Sequence, residues 1–240
     1  MAKADYDKLF KNHKGYRRLR LRQSIGIAFS MIIGAGMISP PAAQADGLGY
    51  DGLPPQELCG LCHGLNGLSA TAKFPRLAGQ KADYIEKQLQ DFLNQRRTND
   101  GGQMVSIVTE IKPAQFKAAA RHFAQQPPPK PDLEAISELP ANAIETARKL
   151  FTEGRPDAEI PACISCHSDR PSHKKLTKNS AVPLLTSQHQ RYLAKQLRDF
   201  KSGERGNDVT GTMPAIAAKL SEGEIEIMAA YLAAQPRNGG

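Results

Sequence analysis

The sequence predicts an all-helical protein made of two copies of one small domain. Apolar residues recur at helical spacing in several segments, and no segment shows the alternating pattern of a strand. The two halves of the chain match each other over a long stretch at a nearly constant offset. A proline-rich run, 127–131, separates the halves and is typical of a stiff, extended spacer.

The N-terminus has the three parts of a secretory signal peptide. Residues 1–22 are basic, residues 24–38 form an apolar run of 15, and Ala43-Gln44-Ala45 provides an A-x-A cleavage site. The run is shorter than the ~18 residues of a membrane-spanning helix. We therefore expect residues 1–45 to be a signal peptide, cleaved near Ala45 to release the protein into the periplasm. An uncleaved anchor is the alternative.

Most of the basic charge belongs to this leader. Residues 1–45 carry a net charge of +6 out of +8 for the whole chain, so the remainder is only slightly basic. No segment resembles a nucleic-acid-binding motif, and we expect no nucleic-acid partner. A local run of lysines could still steer a protein partner, although a solvated loop is its ordinary interpretation: Lys174, Lys175 and Lys178.

All four cysteines fall in two C-x-x-C-H motifs, 59–63 and 163–167. This motif is typical of a covalent c-type haem, in which both thiols form thioethers and the histidine binds the iron. A redox dithiol does not require the histidine, and a zinc site would have to join two motifs about a hundred residues apart. Disulfides are the other alternative, but they do not explain the recurrence of the histidine. The sequence therefore predicts two covalent haem c groups, held by Cys59, Cys62, His63, Cys163, Cys166 and His167.

The repeat extends well beyond these motifs. At an offset of 108 it pairs Pro75 with Pro183, and after one extra residue the offset becomes 109. Further pairs in register are Gln80/Gln188, Tyr84/Tyr192, Gln88/Gln196, Asp91/Asp199, Arg97/Arg205, Asn99/Asn207, Asp100/Asp208 and Met104/Met213. The expected organisation is a first domain at 46–127, a linker at 128–140 and a second domain at 141–240.

The helices of the first domain follow from apolar periodicity. The segment 81–93 places Ile85, Leu89 and Phe92 on one face, and its counterpart recurs in the second domain. The final helix begins at Pro113, a residue suited to a first turn. Glycine and proline precede Cys59, so the leading helix is expected to be short or absent.

The second domain has stronger helix signals. Its final helix opens with Ser221 and Glu224, the spacing of a capping box. Asn142 and Glu145 are expected to cap a leading helix that stops near Gly154.

The second axial ligands are expected from the methionines. Met104 and Met213 align in the repeat, and both are expected in a loop between helices, with Pro214 holding Met213 towards extended geometry. The third methionine beyond the leader, Met228, lies on the apolar face of the last helix and is interpreted as core. We therefore expect His63/Met104 on one iron and His167/Met213 on the other. His122 is the competing first-domain ligand, whereas His173 and His189 are interpreted as surface residues.

The order of these motifs resembles the di-haem cytochrome c4 family. Each half has C-x-x-C-H, a P-x-L-x-x-Q-x-x-x-Y-x-x-x-Q-L-x-D-F segment, a methionine and a final helix, over about residues 50–236. The resemblance implies two tandem class I cytochrome c domains, each wrapped around one haem, with haem edges facing across the interface. It also implies that the carbonyls of Pro75 and Pro183 accept hydrogen bonds from His63 and His167.

The implied function is periplasmic electron transport, not enzyme catalysis, because two axial ligands leave no open position on either iron. Members of the family are carriers, often loosely membrane-associated, that feed terminal oxidases. A quinol–cytochrome c reductase or a dehydrogenase is the expected donor. The alternative is the cytochrome subunit of a dehydrogenase complex, such as a flavocytochrome sulfide dehydrogenase. A di-haem peroxidase is a third possibility.

Overall fold

Helices joined by turns and loops make up the parts of the chain that the computed structural model describes, residues 52–168 and 181–237. These ranges contain eight α-helices and short 3-10 turns. They contain no strand, and only an isolated bridge joins Arg155 and Ile160. The predicted all-α class is confirmed.

Four helices make up the first domain: α1 (Pro55–His63), α2 (Ala82–Leu93), α3 (Gln103–Val108) and α4 (Phe116–Ala124). Helix α2 packs against α4, and α1 and α3 complete the domain. The core lies between them and includes the fully buried Phe116 and Phe123. The leading helix is short, as predicted, and starts at Pro55, where the missing N–H costs no hydrogen bond.

The second domain repeats this arrangement with α5 (Ala141–Thr152), α6 (Gln190–Ser202), α7 (Thr212–Ala218) and α8 (Glu222–Ala233). Helix α8 packs against both α5 and α6. Its apolar residues, with those of α5 and α6, form a second core. The second C-x-x-C-H motif begins in a separate 3-10 turn, Cys163–Ser165, rather than in the leading helix.

Most predicted helix signals are confirmed. Ile85, Leu89 and Phe92 are the buried apolar residues of α2, and Ser221 and Glu224 form the capping box of α8. The predicted caps of α5 are wrong. The residue before this helix is Pro140, which makes no side-chain cap, and Glu145 instead accepts hydrogen bonds from Arg148.

The connection between the domains is folded against the second domain. It contains a 3-10 turn, Leu133–Ile136, which contacts α8. The backbone N–H of Asp132 donates to the carbonyl of Ala233 at 2.9 Å. These contacts fix the position of the linker against helix α8.

Two predicted features lie outside the described residues. They are the signal peptide, residues 1–45, and the stretch that carries His173, Lys174, Lys175 and Lys178. Within the described ranges, every helix is too short or too polar to span a bilayer.

Candidate cofactor site

The two motifs present their side chains from different local structures. Helix α1 carries Cys59, Cys62 and His63 on its last two turns, whereas Cys166 and His167 follow a 3-10 turn. All four cysteines are free thiols, so none forms a disulfide. Burial raises the pKa of the Cys59 and Cys163 thiols to about 11. These thiols stand in for the thioether sulfurs of the haem-loaded protein.

Each motif histidine is held by a backbone carbonyl, and His63 is buried while His167 is partly buried. Nδ1 of His63 donates to the Pro75 oxygen at 2.8 Å, and Nδ1 of His167 donates to the Pro183 oxygen at 2.9 Å. Burial lowers the pKa of both rings, in the case of His167 to about 4, and this favours the neutral ring at pH 7. A neutral ring with Nδ1 engaged offers Nε2 as its metal-binding nitrogen.

A single cavity of about 1530 Å³ joins the two motifs. Pockets for one compact ligand occupy ~300–1,000 Å³, so this volume suits two large groups. The four cysteines, both motif histidines, Met104 and Met213 all line it, together with many apolar side chains. Thiols for covalent attachment to the porphyrin, together with neutral imidazoles and thioethers as iron ligands, are the groups that a c-type haem requires, and here they lie in an apolar surround. The residues present therefore fit two covalent haems.

Met104 and Met213 each lie in the first turn of a short helix, α3 and α7, so the loop prediction is wrong. The expected extended geometry of Met213 is also wrong, because proline is tolerated in a first helical turn, where its missing N–H would have had no partner. Glycines in the left-handed region, Gly102 (φ 82°) and Gly211 (φ 66°), precede the two helices.

An aspartate anchors each methionine. Oδ2 of Asp100 accepts the Met104 N–H at 2.5 Å, and Oδ2 of Asp208 accepts the Met213 N–H at 2.7 Å. Burial alone would raise the pKa of Asp208, but hydrogen bonds from the Met213 N–H and from Thr210 hold it below its usual value. The repeat predicts that Asp100 and Asp208 are equivalent, but it does not indicate that they bind the N–H groups of the two methionines.

The other candidate ligands lie elsewhere. Nε2 of His122 is 3.2 Å from the Leu65 oxygen at the surface. His189 is not a simple surface residue, because its Nε2 lies 3.0 Å from the Ser69 oxygen of the other domain. Met228 is 3% exposed and belongs to the second core, although it also borders the cavity.

A buried polar network joins the domains beside the cavity, and sequence reasoning missed it. The Gln88 oxygen accepts from Arg97 at 2.8 Å, and from Arg205 and Asn207 of the other domain at 3.2 and 3.0 Å. The Gln196 oxygen has the mirrored set: it accepts from Arg205 at 2.8 Å, from Arg97 at 3.0 Å and from Asn99 at 3.1 Å. The signal was available, because all these residues match across the repeat.

Charged partners surround this network. Asp91 is 2% exposed and accepts from Lys87, from Arg96 at 2.9 Å and from Asn207 at 2.6 Å. Burial alone would raise its pKa, but these hydrogen bonds hold the pKa below its usual value. Nη2 of Arg205 donates to the hydroxyl of the partly buried Tyr84 at 3.3 Å. Burial alone would raise the pKa of this phenol, but the charges of Arg205 and Arg97 lower it.

Comparisons with known proteins agree with this geometry. No protein-family model matches the chain. The chain is 35% identical to cytochrome c4 of Pseudomonas aeruginosa over 191 residues, which cover 79% of this chain and 90% of the relative. It is 32% identical to a thiosulfate dehydrogenase electron acceptor of Stutzerimonas stutzeri, over 84% of this chain and 91% of the relative.

A solved structure shares the fold. Reduced recombinant cytochrome c4 from Pseudomonas stutzeri superposes with a TM-score of 0.61 at 31% identity, covering 75% of this chain and 96% of that one. Two tandem cytochrome c domains, two covalent haem c groups and a role in electron transport are therefore properties of this protein. On the strength of its motifs, its fold and these relatives, the chain belongs to the cytochrome c4 family.

Proposed function

We propose that the protein carries electrons by outer-sphere transfer between periplasmic redox partners, with both axial positions of each iron occupied by side chains of the protein. Haem c supplies one reversible electron at its iron. The proposed thioether residues are Cys59, Cys62, Cys163 and Cys166, and the proposed axial pairs are His63/Met104 and His167/Met213. Pro75 and Pro183 orient the two histidines through their carbonyls.

The observation that carries this proposal is the shared cavity. It brings together two histidines fixed through Nδ1 and two methionines fixed by aspartates, each set once per domain. A soft thioether opposite a neutral imidazole favours the ferrous state and raises the potential. With both positions taken, the chain offers no coordination site for a substrate, so its residues position and insulate rather than catalyse.

The proposed setting is the periplasm, with residues 1–45 as signal peptide and 46–127, 128–140 and 141–240 as the two domains and their linker. Thioether formation at four thiols that line the shared cavity fits an exported protein that receives haem before it folds around it. The proposed acceptor is a terminal oxidase, and the proposed donor is a quinol–cytochrome c reductase or a dehydrogenase. Peripheral membrane association is part of the same proposal.

A second candidate is service to one dedicated dehydrogenase. The relative in Stutzerimonas stutzeri that is named a thiosulfate dehydrogenase electron acceptor favours it. The two candidates differ in how the native protein purifies. A free carrier elutes alone, whereas a subunit elutes with a dehydrogenase in fixed ratio.

Carbon monoxide tests the ligation directly. The reduced native protein is expected not to bind it, because no coordination position is open. Met213→Ala should open one iron and bind about one carbon monoxide per chain, and Met104→Ala should do the same at the other. Stoichiometric binding by the native protein, or no gain in either variant, would contradict the proposed ligands.

A further inference from the structure

Each motif histidine is bonded to a peptide group whose other end is held by the opposite domain. In the first domain, the Pro75 carbonyl accepts from His63 at 2.8 Å. The N–H of the same peptide group, which belongs to Arg76, donates to Oε1 of Gln188 at 2.8 Å. One peptide therefore links a second-domain amide to the first-domain histidine.

The same chain of hydrogen bonds runs in the other direction. The Pro183 carbonyl accepts from His167 at 2.9 Å. The N–H of that peptide, which belongs to Leu184, donates to Oε1 of Gln80 at 2.9 Å. Gln80 and Gln188 occupy the same position in the repeat, so each domain provides one glutamine acceptor to a peptide N–H of the other.

The two glutamine side chains are rigidly held. Both are 4% exposed. Nε2 of Gln188 donates to the Arg76 carbonyl at 2.9 Å, and Nε2 of Gln80 donates to the Leu184 carbonyl at 2.9 Å. Each amide oxygen also accepts the N–H of the residue that follows it, Lys81 or His189, at 3.0 Å. Because each amide thus faces two backbone donors and one backbone acceptor, only one orientation of its oxygen and nitrogen satisfies all three.

The local backbone supports this placement in both copies. A residue in the left-handed region precedes each glutamine, Gly79 with φ 63° and Ser187 with φ 52°. Serine rarely adopts this conformation. Here its hydroxyl donates to the Gln235 carbonyl at 2.7 Å and accepts from the Arg237 N–H at 3.1 Å. The second domain thus retains the turn without glycine.

We propose that Gln80 and Gln188 are positioning residues that set the reduction potential of the haem in the opposite domain. This inference rests on the proposed ligation by His63 and His167. An acceptor at a peptide N–H polarises the peptide and makes its carbonyl a stronger acceptor, because hydrogen bonds in a chain reinforce one another. A stronger bond at Nδ1 raises the basicity of the histidine as a ligand.

The sign of the effect follows from this chain. A more basic, more anionic imidazole stabilises the ferric state and lowers the potential. Removing the Gln188 acceptor weakens the bond from His63 to Pro75, so the potential of the first-domain haem rises. Removing the Gln80 acceptor raises the potential of the second-domain haem through His167 and Pro183.

The experiment measures each haem separately in the intact, haem-loaded protein. Gln188→Leu and Gln80→Leu are titrated while the resolved NMR signals of each haem are followed. The expected result is crossed: Gln188→Leu raises only the first-domain potential, and Gln80→Leu raises only the second-domain potential. In the ferrous protein, the Nδ1–H proton of His63 or His167, respectively, should shift upfield as its hydrogen bond weakens.

Two further variants keep the test decisive. Gln188→Glu gives up the donor to the Arg76 carbonyl but places a stronger, charged acceptor on the Arg76 N–H, so it should lower the first-domain potential even if the leucine variant fails to fold. Gln126→Leu is the control, because among the described contacts the Gln126 amide bonds only to the carbonyl of His122, four residues earlier in the same domain. It should leave both potentials unchanged.

Three outcomes overturn the inference: unchanged potentials, equal shifts of both haems, or a shift confined to the domain that carries the substitution. Equal shifts would indicate that the glutamines only dock the domains. The ligation proposal is judged separately, from haem content and the axial-ligand spectrum of the same samples. If the haem content and the spectrum remain those of two His–Met haems but the crossed shifts of potential do not appear, only the glutamine inference fails.

Discussion

Nη2 of Arg97 lies 3.0 Å from the side-chain oxygen of Gln196 in the other domain. Its repeat mate, Arg205, makes the same contact with Gln88 at 3.2 Å. Each guanidinium also lies over a phenylalanine of its own domain, Phe92 or Phe200. The interface is thus built from two copies of one set of polar residues, and burial makes each hydrogen bond in it expensive to lose.

Removing one acceptor from this network should destabilise the protein strongly. In Gln196→Leu, three buried donors lose an acceptor, and we expect the free energy of unfolding to fall by ~2–3 kcal/mol. Gln126→Leu removes a single, half-exposed hydrogen bond and should cost less than ~1 kcal/mol. Denaturant unfolding of both variants measures the difference. Similar losses would show that the interface network adds little to stability.

Met228 and Met213 should respond differently to the same substitution. Met228→Leu conserves volume in the second core and should cost less than ~1.5 kcal/mol while the haem spectrum stays that of the native protein. Met213→Leu should remove the Met-ligated spectrum of one haem and lower its potential. Optical spectra of the ferric and ferrous forms distinguish the two. Loss of the Met-ligated spectrum in Met228→Leu would show that Met228, and not Met213, is the axial ligand.

Asp91 should make stability depend on acid pH. Its folded-state pKa lies below the ordinary value of 3.8, so its carboxylate stabilises the folded state above that pH. This contribution is lost as the pH falls through the lowered pKa. The stability gap between the native protein and Asp91→Asn should therefore be larger at pH 7 than at about pH 3. Urea unfolding at both values measures it, and a constant gap would contradict the assignment.

Gly154 should tolerate alanine less well than Gly203 does. Both are in the left-handed region, at φ 77° and 84°, so alanine costs ~1 kcal/mol at either from the backbone alone. At Gly154 a Cβ would also lie 2.4 Å from the Ile160 oxygen, whereas at Gly203 nothing lies within 4 Å. We expect Gly154→Ala to lose at least ~2 kcal/mol more. Thermal unfolding of the pair provides the measurement, and equal losses would mean that the backbone relaxes freely there.

The fold was largely predictable because its signals are local. The apolar face of α2 and the capping box at Ser221 depend on residues three to seven positions apart, and both are confirmed. The wrong predictions concern positions where more than one residue could begin a helix, and the neighbouring chain determines which residue does. Asn142 has the chemistry of a cap, but Pro140 already fixes the chain before α5, so the helix begins at Ala141.

The site was predictable only in part. The motif cysteines and histidines are adjacent in sequence, and the repeat supplied Met104 and Met213. The supports of these residues were not predictable, because Gln80 lies 104 positions before Leu184, to which it bonds. The repeat showed Gln80 and Gln188 to be equivalent, but equivalence does not reveal that each one reaches into the other copy.

The reciprocal glutamines have a consequence for the history of the chain. In an ancestral single domain, the N–H that now meets Gln188 would have faced water or a second identical molecule. Once two copies were fused and their glutamines exchanged, deleting either half would leave the survivor's glutamine and the peptide N–H that it meets without a protein partner. The duplication is therefore hard to reverse, because each half now depends on the other for the environment of its own histidine.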